Sequence, residues 1–370
     1  MTVFLILVAV LCLAWANGAN DNFKGVATLF GSGTTNYRGA LTWATVTTLA
    51  GSLTAVFLAA SLLKAFTGKG IVDPALASTA RYGAAVAIGA GVTVLLATRI
   101  GMPISTTHSL VGALIGSGLA AQSAINYEKL GSGFFLPLLV SPVMAVTAAL
   151  ILYPLLTRFR QRMGVTAETC LCVGTRTVEV LQPCCDTVAL ERAEQLSVEV
   201  GDTVTCQSRY QGRMLGIDAA SLLDRLHFLS SGIVSFARGL NDTPKIAALL
   251  LLAPAVGSFG STALVGIAIA LGGVVSAGKV AETMSQKITA MNHGQGLIAN
   301  VITGVIVIGA SRLGLPVSTT HVSCGSLFGI GSVTRQAHWK MIGQILAAWL
   351  ITLPLGAAAG ALGYYLAGAV

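Results

Sequence analysis

Two stretches of this chain, 213 residues apart, repeat one motif. Residues 99–118 read RIGMPISTTHSLVGALIGSG and residues 312–331 read RLGLPVSTTHVSCGSLFGIG, sharing 11 of 20 positions. A second pair keeps the same order: Gly18-Ala19-Asn20-Asp21-Asn22-Phe23-Lys24 and Gly239-Leu240-Asn241-Asp242-Thr243-Pro244-Lys245. Self-similarity of this kind marks a duplicated structural unit. The chain must therefore build two copies of one element, about 1–157 and 226–370, around a joining segment at 158–225.

Composition says what medium the copies occupy. Of 370 residues 54% are hydrophobic and only 10% charged, against about 25% charged in soluble domains. A soluble enzyme is excluded, and the length bounds the passes at roughly ten segments of about 20 residues. The first apolar run, 2–16, lacks the basic start of a cleavable signal and reads as a helix that stays. Segments 103–121 and 316–332 open with Pro and then hydroxyl residues, and they are short and rich in small side chains. They read as half-helices or re-entrant hairpins, tolerated in a membrane only where protein or a watery cavity surrounds them. The expected fold is an all-α polytopic membrane protein with two inverted-topology repeats and broken or re-entrant helical hairpins. A small polar, β-rich insert interrupts it.

Charge supports that division. The segment 158–225 holds 9 of the 14 acids and 8 of the 22 bases, leaving 5 acids and 14 bases for everything else. Part of this surplus flanks helices, and part suits an anionic substrate. Nucleic acid is a poor partner, since no basic stripe with interleaved aromatics lies on a soluble element. Arg158, Arg160 and Arg162 place the insert in the cytosol, and Arg335 with Lys340 places the loop before the last helix inside and the C-terminus outside. The equivalent loop at Tyr127-Glu128-Lys129 is neutral and fits the opposite side, which makes the repeat inverted. Within the insert, 177–181 and 197–200 alternate as strands and 218–226 suits a short amphipathic helix. Five of the seven cysteines (Cys170, Cys172, Cys184, Cys185, Cys206) lie there; metal binding or redox sensing is the competing reading, but the spacing is not that of a zinc ribbon, and they read as plain buried thiols of a reducing compartment.

The chemistry concentrates in the duplicated motifs. Ser105, Thr106, Thr107 and Ser318, Thr319, Thr320 each begin a helix inside the membrane, where free N–H groups and the helix dipole attract anions. Facing one another, they would surround a tetrahedral oxyanion with neutral donors; the competing reading is ordinary N-capping. Asn20, Asp21, Asn241 and Asp242 need a cavity and a partner, because an acid at this depth costs on the order of 3 kcal/mol. Lys24 and Lys245, three residues on, can neutralise the acids, approach the anion, or snorkel to an interface. Glu282 is a further cation or proton candidate, or else a helix-end partner of Lys279. His108 and His321 close the motif, for buried hydrogen bonding or for substrate or proton contact. No third acid recurs to make a catalytic triad of them. Arg99 and Arg312 fit helix-end anchors at the headgroups first, and anion binding second.

At Gly18–Asp21, Gly239–Asp242, Pro103–His108 and Pro316–His321, with the stretch from Val280 to Thr283 and Lys287-Ile288, the sequence resembles the inorganic phosphate transporter (PiT) family. The resemblance covers both repeats and none of the insert. It implies a carrier, not an enzyme, moving phosphate, alone or as a metal–phosphate complex, with Na⁺ or H⁺ by alternating access. It further implies that the six hydroxyl residues hold the anion, that Asn20, Asp21, Asn241 and Asp242 form the coupling-ion site, and that no cofactor or bound metal is needed. The expected setting is the inner (plasma) membrane of a prokaryote, with a homodimer left open. Where the family usually has Asn three residues after the Asp, this chain has Lys in both copies. Ammonium groups would then stand where sodium is ligated, and transport would couple to protons. Phosphate rather than sulfate is favoured, because only phosphate retains a proton to donate to Asp21 or Asp242. The same motifs also fit a permease of the same fold for sulfate or another oxyanion, and the cysteine-rich insert fits an anion sensor that signals through it.

Overall fold

The computed structural model describes residues 2–184, 187–202, 214–251 and 257–368, so Cys185 and Cys206 fall outside the described residues. The chain forms two compact units: Met1–Tyr153 with His227–Val370, and Pro154–Leu226.

In the larger unit α1 (Thr2–Asp21) ends at the first Asn-Asp pair and passes through a 3-10 turn, Asn22–Gly25, into α2 (Ala27–Gly31). Next come α3 (Tyr37–Leu58), the short α4 (Ala60–Ala65) and α5 (Pro74–Ala77), then α6 (Ala80–Arg99), α7 (Thr106–Ala120), α8 (Tyr127–Leu130) and α9 (Leu136–Arg162). The second copy runs through α10 (Ala219–Leu250), α11 (Gly257–Ser276), the short α12 (Gly278–Glu282), α13 (His293–Arg312), α14 (Thr319–Thr334) and α15 (Trp339–Leu366). Among the described residues seven helices are long and apolar enough to cross a membrane. Rows of large apolar side chains stand exposed on α9 (Leu139, Val143, Ile151) and α15 (Leu350, Ile351). In water such rows would be an aggregation hazard, whereas hydrocarbon solvates them. The protein is an integral membrane protein.

The long repeat encodes a hairpin. Gly101 takes φ +73° and Gly314 φ +72°, the left-handed conformation that only glycine adopts without a Cβ clash. Each ends its helix in a Schellman motif: Met102 N–H donates to Ala97 O at 2.9 Å and Gly101 N–H to Thr98 O at 3.0 Å, as Leu315 does to Ala310 O (2.9 Å) and Gly314 to Ser311 O (3.2 Å). Pro103 and Pro316 prevent the helix resuming at once. Ser105 and Ser318 then start α7 and α14 as N-caps, accepting from His108 N–H at 3.1 Å and His321 N–H at 3.2 Å. Helix stop, proline and helix start within seven residues turn the chain back on itself twice.

The duplicated Asn-Asp motif folds differently in its two copies. The first breaks α1 at Asp21, but the second stays helical through Asn241–Lys245 with Pro244 inside α10. Close packing is nevertheless reciprocal. A Cβ on Gly18 of α1 would lie 1.9 Å from Ile269 O of α11, and one on its counterpart Gly239 of α10 would lie 2.1 Å from Thr48 O of α3. Helices of one copy thus pack backbone to backbone on helices of the other, through small residues as is usual in lipid.

The smaller unit contains a three-stranded antiparallel sheet, β1 (Thr169–Cys184), β2 (Thr187–Asp202) and β3 (Met214–Asp218), in the order β2-β1-β3. Both expected strand segments lie in it. Asp218 caps α10 by accepting from Ser221 N–H at 2.6 Å and Ser221 Oγ at 2.9 Å, which holds its carboxyl below the usual carboxylate range. The short helix expected at 218–226 is therefore the first turns of α10. Cys170 is a buried free thiol, but Cys172 is disulfide-bonded. This corrects the reading of Cys172 as a plain thiol, whereas Cys170 is the buried thiol expected.

Gly239→Ala is expected to force α3 and α10 apart and to destabilise the protein by about 1–3 kcal/mol. Thermal unfolding of the detergent-purified variant reads this, and an unchanged melting temperature would contradict the packing.

Candidate functional site

Both hairpin tips meet the Asn-Asp motifs in the interior, and the junctions are the two lysines. Lys24 Nζ, in the 3-10 turn, donates to Asp21 Oδ1, to Asn20 Oδ1 at 2.8 Å, to the backbone oxygen of Ile104 at 2.8 Å and to Thr320 Oγ1 at 2.7 Å. Lys245 Nζ donates to Val317 O at 2.7 Å, to Thr107 Oγ1 at 2.8 Å and to Asp242 Oδ1 at 3.3 Å. Ile104 and Val317 are equivalent positions, and so are Thr107 and Thr320. Each lysine therefore joins its own hairpin tip to a threonine of the other copy, the reciprocity that a two-fold relation imposes. Snorkelling is ruled out, since both side chains are buried to 1% exposure.

The carboxylates and amides complete these cages. Asp21 Oδ2 accepts from Asn17 Nδ2 at 2.8 Å and Thr106 Oγ1 at 2.9 Å, and Asp242 Oδ2 from Thr319 Oγ1 at 3.3 Å. Asn20 clamps the first tip: its Nδ2 donates to Thr98 Oγ1 and Met102 O, while its Oδ1 accepts from Ile104 N–H at 3.2 Å. Asn241 Nδ2 donates to Val317 O at 3.1 Å and its Oδ1 accepts from Ser311 Oγ at 3.2 Å. All six hydroxyl residues expected around an anion are thus gathered, but here the serines cap helices and the threonines serve Asp and Lys. Fully dehydrated ions held by so many oxygens are costly to unpair, on the order of 3–5 kcal/mol when one partner is lost.

His108 and His321 face each other with ring centroids 4.5 Å apart, and His321 stacks on Trp349 at 3.8 Å. Trp349 Nε1 in turn donates to Pro103 O at 3.2 Å. The rings line an apolar cavity of about 780 Å³ with Leu138, Phe328 and Leu350. A second cavity, about 700 Å³, reaches the first hairpin tip at Met102 and Ile104 and is lined further by Thr283, Lys287, Met341 and Gln344.

Glu282 does not join the site. Its side chain is 57% exposed and pairs with Lys287 at 2.9 Å, because it ends the short helix α12 and the turn that follows carries it outward. Its anticipated partner Lys279 instead donates to Arg99 O at 2.9 Å. Arg99 and Arg312 sit at exposed helix ends. Sequence reasoning missed Asn17 and Trp349, which carry no duplicated signature, and also Thr98 and Ser311, an equivalent hydroxyl pair lying one residue before the matched stretches. It also passed over Arg238, buried beside the second Asn-Asp motif; a basic residue directly before Gly239 in an apolar run was the available signal. Among the described residues no three His, Cys, Asp or Glu side chains gather as a metal site would require.

Comparison with known proteins is specific. A protein named "Probable low-affinity inorganic phosphate transporter" from Rhizobium meliloti is 28% identical over 98% of this chain and 97% of its own length. The chloroplastic inorganic phosphate transporter 2-1 of Arabidopsis thaliana is 25% identical over 93% of this chain and 68% of its own. A solved structure titled "The sodium-dependent phosphate transporter" superposes with a TM-score of 0.76 at 22% identity, covering 100% of this chain and 99% of that one, and so shares the fold. The model of the phosphate transporter family matches residues 17–360. From the two motif pairs, the hairpin fold and that match, this chain belongs to the phosphate transporter family.

Proposed function

We propose that the chain is a secondary symporter that moves inorganic phosphate by alternating access and couples it to protons. One observation carries the coupling: the ammonium groups of Lys24 and Lys245 fill two oxygen cages between the motif pairs. Carboxylate, amide, carbonyl and hydroxyl oxygens are also what a hard cation seeks. The structural relative's title names sodium, but a tethered cation here takes the position that a mobile one would need. Protonating Asp21 or Asp242 would weaken its claim on the lysine and free Thr106 or Thr319 to turn toward an anion. Each lysine also ties the two copies together, so loosening a cage is a step toward moving one hairpin past the other. Retained acids beside the hydroxyls favour phosphate over sulfate.

On this reading 1–157 and 226–370 are the two transport repeats. The flanking arginines Arg158, Arg160 and Arg162 argue for a cytosolic 158–225. Labelling of the insert from one side of sealed vesicles with a membrane-impermeant reagent decides the orientation.

Uptake of radiolabelled phosphate into proteoliposomes is expected to follow an imposed pH gradient equally well in Na⁺ and in choline, and to be inhibited by arsenate but not sulfate. Uptake rising saturably with Na⁺ at fixed pH and potential would sink the proton reading. Asp21→Asn leaves Lys24 without its charge partner, and should lose phosphate counterflow by at least about tenfold. Full counterflow in that variant would remove Asp21 from the mechanism. In Lys24→Asn/Lys245→Asn, emptied oxygen cages are expected to make any remaining uptake dependent on Na⁺.

A further inference from the structure

Arg238 is 1% exposed, and its Nε, Nη1 and Nη2 have no hydrogen-bond partner among the described residues. Guanidinium stays charged under all ordinary conditions and presents five donors in a planar fork. An uncompensated charge of this kind is among the costliest features an interior can hold, so the fold keeps it for something that arrives. The local charge balance agrees. The buried cluster holds Asp21, Asp242, Lys24, Lys245 and Arg238, each at most 4% exposed; three bases against two acids leave one positive charge unmatched.

Placement ties Arg238 to the site. It precedes Asp242 by one helical turn of α10, so the two share a face. One turn earlier on that face stands Ser235, buried with its Oγ equally unpartnered. Gly25, next to Lys24 in the 3-10 turn, lies so close to Ser235 that a Cβ would be 2.2 Å from its hydroxyl oxygen. The face carrying Ser235 and Arg238 therefore borders the turn that carries Lys24. Asp21 and Asp242 both act electrostatically on Arg238, and Arg238 on Lys24.

We propose that Arg238 is the charged ligand of the transported oxyanion, its fork taking two phosphate oxygens while the Ser235 hydroxyl donates to a third. The two lysines are committed to oxygen cages and the serines of the hairpins to capping, which leaves Arg238 as the free fork between the copies. Bidentate pairing with a phosphate is the geometry for which a guanidinium is best suited. This rests on the phosphate-transport reading above and names the group that does the binding.

The test uses the full chain, purified in detergent and reconstituted, as wild type, Arg238→Gln and Arg238→Lys. Inorganic phosphate is expected to raise the wild-type unfolding temperature, as any ligand bound only by the folded state does. Arg238→Gln should lose that rise and show a KM for phosphate uptake about ten- to hundredfold higher. Without ligand it should unfold at the wild-type temperature or above, because a buried unpaired charge has gone; a merely structural arginine predicts the opposite. Arg238→Lys keeps the charge but not the fork, so its KM should fall between the two. A phosphate-induced rise and KM unchanged in Arg238→Gln would overturn the proposal. If that variant yields no folded protein, an unchanged KM in Arg238→Lys overturns it and a raised one supports it. A wild type that neither binds nor takes up phosphate fails the transport reading itself and takes this assignment with it.

Discussion

The two caged ammonium groups are the contacts on which the rest of the membrane unit depends. Lys24 and Lys245 are each bound by oxygens from both copies of the repeat. A buried ammonium tolerates nothing less than near-complete replacement of its hydration shell. That demand fixes where the hairpin tips stop, which of their carbonyls turn inward, and how Asp21 and Asp242 are oriented. The close helix packing at Gly18 and Gly239 serves the same end, since wider spacing would draw the cage oxygens out of reach.

Much of this was legible in the sequence, and the reason is local. Gly-x-Pro-x-Ser-Thr-Thr-His contains both a helix stop and a helix start, each set by backbone sterics and a single side chain, so the hairpins can be read from these eight residues. Duplication then revealed the partners, because Asn20, Asp21 and Lys24 recur in register as Asn241, Asp242 and Lys245. What the pattern could not give was pairing across the copies. That Thr320 belongs to Lys24 and Thr107 to Lys245, rather than each to its own repeat, is decided by three-dimensional exchange. Spacing alone likewise could not separate Glu282, carried outward by a short helix, from Asp21, carried inward by a broken one. Arg238 went unread because only one copy has it, and repetition was the lens.

The two Asn-Asp segments also show how far a duplicated sequence can diverge in backbone while its side chains keep their stations. One unwinds after Asp21; the other stays helical across Pro244. The unwound copy gives its lysine four oxygen partners and the helical copy three. The more heavily bound lysine sits at the tip bordering the cavity lined by Met102 and Ile104. Near-symmetric halves thus hold their lysines with unequal grip.

The crosswise ownership of the cages has a consequence for origin. A single repeat, standing alone in a membrane, would contain a lysine whose threonine partner is missing and a threonine whose lysine is missing. Two such units in opposite orientations would cure both defects at once, with no new residue invented. An ancestral half-length protein able to insert either way up would therefore already possess the whole interior as an antiparallel pair. The segment between the repeats holds none of the motif pairs and so adds nothing to that interior.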